Sequence, residues 1–164
     1  NGKYLRRLSP KGLLERLRGQ LLSEGHLLDV LPLVQERIDT LEAFFEYASF
    51  FFVGEVPYDE AACKAMVPKG RTSADASKAL RALLEEEVDH VLDWRHETVE
   101  AALRRFAGSS GWAASELFMA VRVATTGRPA SPPLFETLAV LGKETCRRRL
   151  RRAADVLKTG AAAK

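Results

Sequence analysis

Glu87-Val-Asp-His90 sets a carboxylate and an imidazole three positions apart, the spacing at which both reach one side of a helix and can share a metal ion. A di-metal bundle needs a second such pair and two further inward carboxylates, and His26 and His96 stand in no such context. A solvated helix end is the plainer account. Cys63 and Cys146 lie far apart and outside any Cys-x-x-Cys spacing, so neither a zinc site nor a disulfide framework is expected. Neither thiol has a histidine nucleophile motif beside it, and Cys146 falls on the apolar side of its segment with Leu150 and Leu157, as a packed thiol does. The glycines stand singly at segment ends and form no phosphate-cradling run. These residues predict no reaction centre, no metal and no cofactor within the chain.

Two segments point to binding instead. Arg147, Arg148, Arg149, Arg151 and Arg152 surround an apolar helical stripe. At about 100° of rotation per residue they cannot form one narrow stripe, so some must border the core. The residues alone leave this cluster open between contact with nucleic acid and a solvated, salt-bridged face. The second segment runs from Arg122 through Gly127 and Pro129 to Ser131-Pro-Pro-Leu-Phe135. A tight turn there leads into a helix whose first N–H groups stand free behind Ser131, a place that attracts anions and hydrogen-bond acceptors. With Arg122 on one side and Leu134 and Phe135 exposed on the other, such an elbow can hold a splayed nucleotide by edge contacts and stacking. Ordinary capping with Phe135 in the core fits the same residues equally well.

The elements that must position these groups all read as helices. A chain of 164 residues that is 46% hydrophobic can bury a core, as one domain or two small ones. Its 25 basic against 22 acidic residues give only +3, too mild by itself to imply a polyanionic partner. No run approaches the ~20 apolar residues of a membrane span, the start is not a signal peptide, and reduced thiols suit the cytoplasm. Ser9-Pro10 opens a helix with Leu13, Leu14, Leu17, Leu21 and Leu22 on one face. A second pattern runs from Leu27 to Leu41, restarted or bent at Pro32. Six aromatics between Phe44 and Phe52 exceed what one helix face can bury and predict a core junction. Asp59, Thr72 or Ser73, and Asp93 are expected caps, Gly108, Gly127 and Gly142 expected terminators, and Ser131 the start of a further helix. No period-2 alternation persists. The expectation is an all-α helical bundle or cage of about eight helices in two packed subdomains, 1–70 and 71–164, joined at Pro68-Lys-Gly70.

The stretch Phe118-Met-Ala-Val-Arg-Val-Ala-Thr-Thr-Gly127, followed by Ser131-Pro-Pro-Leu-Phe-Glu-Thr-Leu-Ala-Val-Leu-Gly-Lys-Glu144 and the arginine-rich helix, resembles the signature near the end of bacterial glutamyl-tRNA synthetases. Asn1-Gly-Lys-Tyr-Leu-Arg6 and Gln35-Glu-Arg-Ile-Asp-Thr-Leu41 agree with it in order and spacing, so the likeness covers nearly the whole chain and is vaguest over 54–90. The resemblance implies an intact enzyme that joins glutamate to its tRNA with ATP and magnesium, through a glutamyl-adenylate. The HIGH and KMSKS motifs of that family's nucleotide-binding domain do not occur here, and the first residue is not Met. The catalytic half is therefore expected upstream of Asn1, and this chain is expected to be inactive alone, keeping the helical cage that reads the anticodon.

Carried over residue by residue, the resemblance gives Arg37 to the third anticodon base and Arg122 to a base contact. It gives Ser131, Pro132, Leu134 and Phe135 to the pocket for the first two bases. A family proline ahead of the arginine is changed here, where the chain reads Met119-Ala-Val-Arg122. Arg148 and Arg152 are expected to attract phosphate without reading sequence. The implied partner is tRNA, most simply tRNA for glutamate, with no DNA, no membrane and a monomeric, cytoplasmic protein. A helical protein-binding module with a basic helix is the alternative.

Overall fold

The computed structural model describes residues 8–20 and 22–160, and among these the fold is all-α. The Asn1-to-Arg6 motif and Leu21 lie outside them. Nine α-helices are described, α1 (Pro10–Gln20), α2 (Glu24–Val34), α3 (Leu41–Ala48), α4 (Glu60–Ala65), α5 (Ser73–Glu86), α6 (His96–Ser110), α7 (Ala114–Thr126), α8 (Leu134–Leu141) and α9 (Lys143–Thr159). Single 3-10 turns occupy Gln35–Arg37, Ser49–Phe51 and Val88–His90. None of the described helices is long and apolar enough to cross a membrane.

The chain divides into two compact units between Phe52 and Val53. Pro68-Lys-Gly70, the expected joint, is instead a tight turn inside the second unit, closed by the Arg71 amide on the Pro68 carbonyl at 3.1 Å. The helix before it, α4, packs on α7, which ties residues 53–70 to the remainder of the second unit.

In the first unit the expected cap at Ser9 is present, its hydroxyl accepting from the Gly12 amide at 3.1 Å. Leu13, Leu14 and Leu17 nevertheless stay 36%, 45% and 38% exposed. Ser23 caps α2, which carries Pro32 within its last turn instead of restarting there. Pro32 has no N–H, so the helix gives up the bond that residue would have made to the carbonyl four positions earlier and runs only two residues further. The aromatic run is a junction only in part. Phe50 and Phe51 are buried, His26 meets the Phe52 ring edge-on at 5.4 Å, and Phe45 is 62% exposed.

The second unit is built on α9 packed along α5. α5 buries Ala76, Leu80, Leu83 and Leu84, and α9 buries Cys146, Leu150, Ala153, Ala154 and Leu157. A buried leucine contributes roughly 1.5–3 kcal/mol relative to an exposed one, so this seam is the main source of cohesion. Ser77 adds a buried hydroxyl donating to the Ala154 carbonyl at 2.7 Å. Thr72 and Asp75 form a reciprocal capping box at the start of α5, and the Thr72 hydrogen bonds hold the Asp75 carboxyl below its ordinary range. Two expected punctuation marks move. α6 continues through Gly108 to Ser110 and ends at Gly111, whose φ of 70° gives the left-handed turn. Its cap position is Arg95 and not Asp93, whose carboxylate pairs with Arg95 Nε at 2.6 Å and whose carbonyl accepts from Thr98.

Candidate nucleic-acid interface

The elbow between α7 and α8 forms because α7 must end at residue 127. Gly127 has φ +77°, and a Cβ there would lie 2.9 Å from the Pro57 carbonyl and 3.1 Å from Val56 Cβ, so both backbone shape and space require glycine. α7 buries Leu117, Ala120, Val121 and Ala124 and leaves Arg122 half-buried at the rim. Arg122 Nη1 donates to the Pro132 carbonyl at 2.8 Å, to the Ser131 carbonyl at 3.3 Å and to the Ser131 hydroxyl. Its Nε and Nη2 have no partner among the described residues. Burial lowers its pKa, yet a guanidinium stays charged at any physiological pH. One corner of a planar fork is thus anchored, and the opposite edge, which carries two parallel donors, is open.

Ser131 does not cap α8. The cap position is Pro133, which has no side-chain donor or acceptor to offer, and the Ser131 hydroxyl is turned toward Arg122 and the Pro132 carbonyl. The first turn of α8 is therefore uncapped by any side chain. Leu134 corrects the expectation of an exposed apolar pair. It is 5% exposed and belongs to the core, and Pro132 is buried as well. Leu134 sits in the first turn of a short helix that also buries Leu138 and Leu141, and the next such position falls on the inner face. Phe135 stays partly open and meets Phe118 edge-to-face at 5.2 Å, with the Arg104 guanidinium 5.5 Å from the Phe118 ring. The apolar surface beside Arg122 is thus Phe118 with Phe135. Phe118 was legible as the residue one helical turn before Arg122; Arg104, on another helix, was not.

The arginines of α9 divide into several kinds. Arg149 is 1% exposed, with Nη2 on the Val53 carbonyl at 2.6 Å, Nε on the Gly54 carbonyl at 3.4 Å and Nη1 on the Thr125 carbonyl. Desolvation pulls its pKa down. Arg152 donates to the Val56 carbonyl, pairs with Glu55 at 3.2 Å and lies over the Tyr58 ring at 5.1 Å. Arg148 is exposed and donates to the Gly54 carbonyl at 2.9 Å. Arg147 pairs with Asp89 at 2.6 Å and Glu144 at 3.0 Å. Arg151 is exposed with no partner among the described residues. Arg147, Arg148, Arg151 and Arg152 line one shallow groove together with Glu55 and Asp155. Arg37, in the first unit, is exposed and bonds the Leu33 carbonyl at 3.1 Å.

The two carboxylates of the Glu87-Val-Asp-His90 segment are otherwise engaged. Glu87 binds Arg105 at 2.6 Å, Asp89 binds Arg147, and Val88–His90 is a 3-10 turn that breaks the helical spacing. Among the described residues no three His, Cys, Asp or Glu side chains are grouped so as to hold a metal ion. Cys146 is 1% exposed, its thiol pushed up to about 12 by burial, and Cys63 is half-buried with its thiol raised by burial and then by Asp59.

A family model described as an anticodon binding domain matches residues 5–154. Among curated proteins, the glutamate–tRNA ligase of Roseiflexus castenholzii is 36% identical over 96% of this chain and 32% of its own length. That of Geobacter sulfurreducens is 37% identical over 96% of this chain and 34% of its own length. The chain thus spans about a third of the length of such relatives. A crystal structure of a glutamate tRNA ligase from Elizabethkingia meningosepticum in complex with its amino acid shares the fold. Its TM-score is 0.72 at 21% identity, covering 96% of this chain and 31% of that one.

Proposed function

This chain belongs to the anticodon-binding domain family, and from that premise we propose that it reads the anticodon of glutamate tRNA as one part of a longer glutamate–tRNA ligase. The observation that carries the reading is the Arg122 guanidinium, fixed through Nη1 and open along Nε and Nη2 beside the Phe118–Phe135 pair. A two-donor edge held at a set angle suits an acceptor-rich base edge, and an adjacent aromatic face suits an unstacked base. Ser131 and Pro132 act by holding Arg122, Phe135 by stacking, and Leu134 by supporting the turn from beneath. Arg37 supplies a separate base contact on the first unit. Arg148 and Arg151 lend non-specific attraction for phosphate, while Arg152, paired with Glu55 and bonded to the Val56 carbonyl, adds little to it. Glutamate activation with ATP and magnesium belongs to the rest of the ligase, which acts in the cytoplasm, and the chain binds tRNA as a monomer.

The test is fluorescence titration of the chain with glutamate tRNA and with single-base anticodon variants at two salt concentrations. Arg122→Ala is expected to lose ~1–3 kcal/mol of discrimination between cognate and variant anticodons. Unchanged preference would remove Arg122 from the site. Arg148→Ala with Arg151→Ala is expected to weaken every RNA alike and to reduce the salt slope by about one for each phosphate no longer neutralised.

A further inference from the structure

The end of α7 is held by side chains far away in sequence. The last turn of any helix leaves carbonyls without intrahelical donors. Here the Val123 carbonyl takes the Gly127 amide at 2.8 Å, the Ala124 carbonyl takes the Tyr58 hydroxyl at 2.6 Å, and the Thr125 carbonyl takes Arg149 Nη1. The Tyr58 hydroxyl also lies 3.2 Å from the Arg149 carbonyl, so one phenol bridges α7 and α9. Burial pushes its pKa up to about 12, which keeps it a neutral donor. The other guanidinium nitrogens of Arg149 hold the Val53 and Gly54 carbonyls, and these begin the strap that delivers Pro57 and Tyr58 to the elbow. Pro57 and Val56 then press on Gly127 from outside. The circuit closes from α9 through the 53–58 strap to the end of α7 and back.

From this circuit we infer that Tyr58 and Arg149 are positioning residues for the base-reading elbow, setting the direction in which residues 128–133 leave α7. Those residues end in the Ser131 and Pro132 carbonyls that fix Arg122 Nη1, so a shift in the end of α7 swings the open edge of Arg122. Neither residue need touch RNA. The inference deepens the base-reading proposal and rests on it for its functional half.

Tyr58→Phe keeps the buried ring and deletes the bridging hydroxyl, so the variant retains its packing; Arg149→Lys keeps the charge and loses the three-way grip. Both are compared with the wild-type 164-residue chain in titrations with a glutamate-tRNA anticodon stem-loop and its single-base variants, and by amide hydrogen exchange. In Tyr58→Phe, discrimination between cognate and variant loops is expected to fall about tenfold, the equivalent of one well-placed contact, with an unchanged salt slope. Exchange at Gly127 and Arg128, whose amides bond the Val123 carbonyl and the Thr126 hydroxyl, is expected to quicken while amides in the middle of α9 keep their protection. Arg149→Lys should act in the same direction. Wild-type discrimination with wild-type exchange in Tyr58→Phe overturns the inference. A wild-type chain that shows no discrimination among loops overturns the base-reading proposal instead, and exchange at Gly127 and Arg128 then decides the positioning role by itself.

Discussion

Arg122 and Arg149 belong to the same unit and both give hydrogen bonds to backbone carbonyls, but they differ in what is left over. Arg149 sits inside a dense arginine run and directs all three of its donor nitrogens to the Val53, Gly54 and Thr125 carbonyls. Arg122 stands alone on its helix and keeps one edge open. Arginine density is therefore a poor guide to where unoccupied guanidinium donors lie in this chain. Three of the α9 arginines, Arg148, Arg149 and Arg152, donate to carbonyls of the strap over residues 53–58, where a long planar cation supplies several donors from one side chain. What remains for a polyanion is the outer rim around Arg148 and Arg151.

The comparison breaks most visibly at Arg149. Arg149→Met should destabilise the chain by about 3 kcal/mol, since two or more charge-assisted hydrogen bonds vanish and the buried Thr125 carbonyl is left unpaired; urea denaturation with a cost below ~1 kcal/mol would mean that water satisfies the carbonyls Arg149 now holds. Tyr58 gives a pH signature. Because its folded pKa, about 12, lies above the ordinary 10.0, its contribution is fully present below pH 10 and is lost as pH climbs toward 12. The wild type should therefore shed on the order of 2 kcal/mol more than Tyr58→Phe across that interval, measured by denaturant midpoints at about pH 8.5 and about pH 11.5. A parallel fall in the two proteins would show the phenol is not held neutral by the fold. Thr137 tests the same logic in reverse. It is fully buried in α8 and its hydroxyl has no partner among the described residues, so Thr137→Val should raise stability by ~1 kcal/mol, and a loss of stability would reveal an acceptor for that hydroxyl. At the outer rim, Arg151→Ala should change stability by no more than ~0.5 kcal/mol in the same assay, and a larger loss would place Arg151 among the structural arginines.

Local features were readable from the sequence, and long-range ones were not. Caps at Ser9, Asp59 and Thr72 and the terminators Gly127 and Gly142 depend on residues a few positions apart, and the structure has each in place. Asp93 and Gly108 were plausible by the same rules but lost to neighbours that did the task better, Arg95 with Thr98 and the left-handed Gly111. The elbow was visible as a turn with an arginine beside it. That Leu134 faces the core, that Ser131 serves Arg122 and not the helix, and that Arg149 is buried all depend on contacts spanning 9 to 96 positions, which no local pattern records. The division of the chain after Phe52 escaped for a related reason, because the Pro-Lys-Gly turn at 68–70 carries a stronger local signal than the packing of α4 on α7 that overrides it.

The unequal seats of the two thiols make the chain its own reporter. Cys63, partly open, should accept a maleimide dye slowly at neutral pH and so furnish one labelling point near the turn after α4, remote in sequence from Arg122. Cys146, closed off in the α9 seam, can be alkylated only when that seam parts. Counting modified sulfurs over time would then clock the opening of the second unit, with no residue replaced.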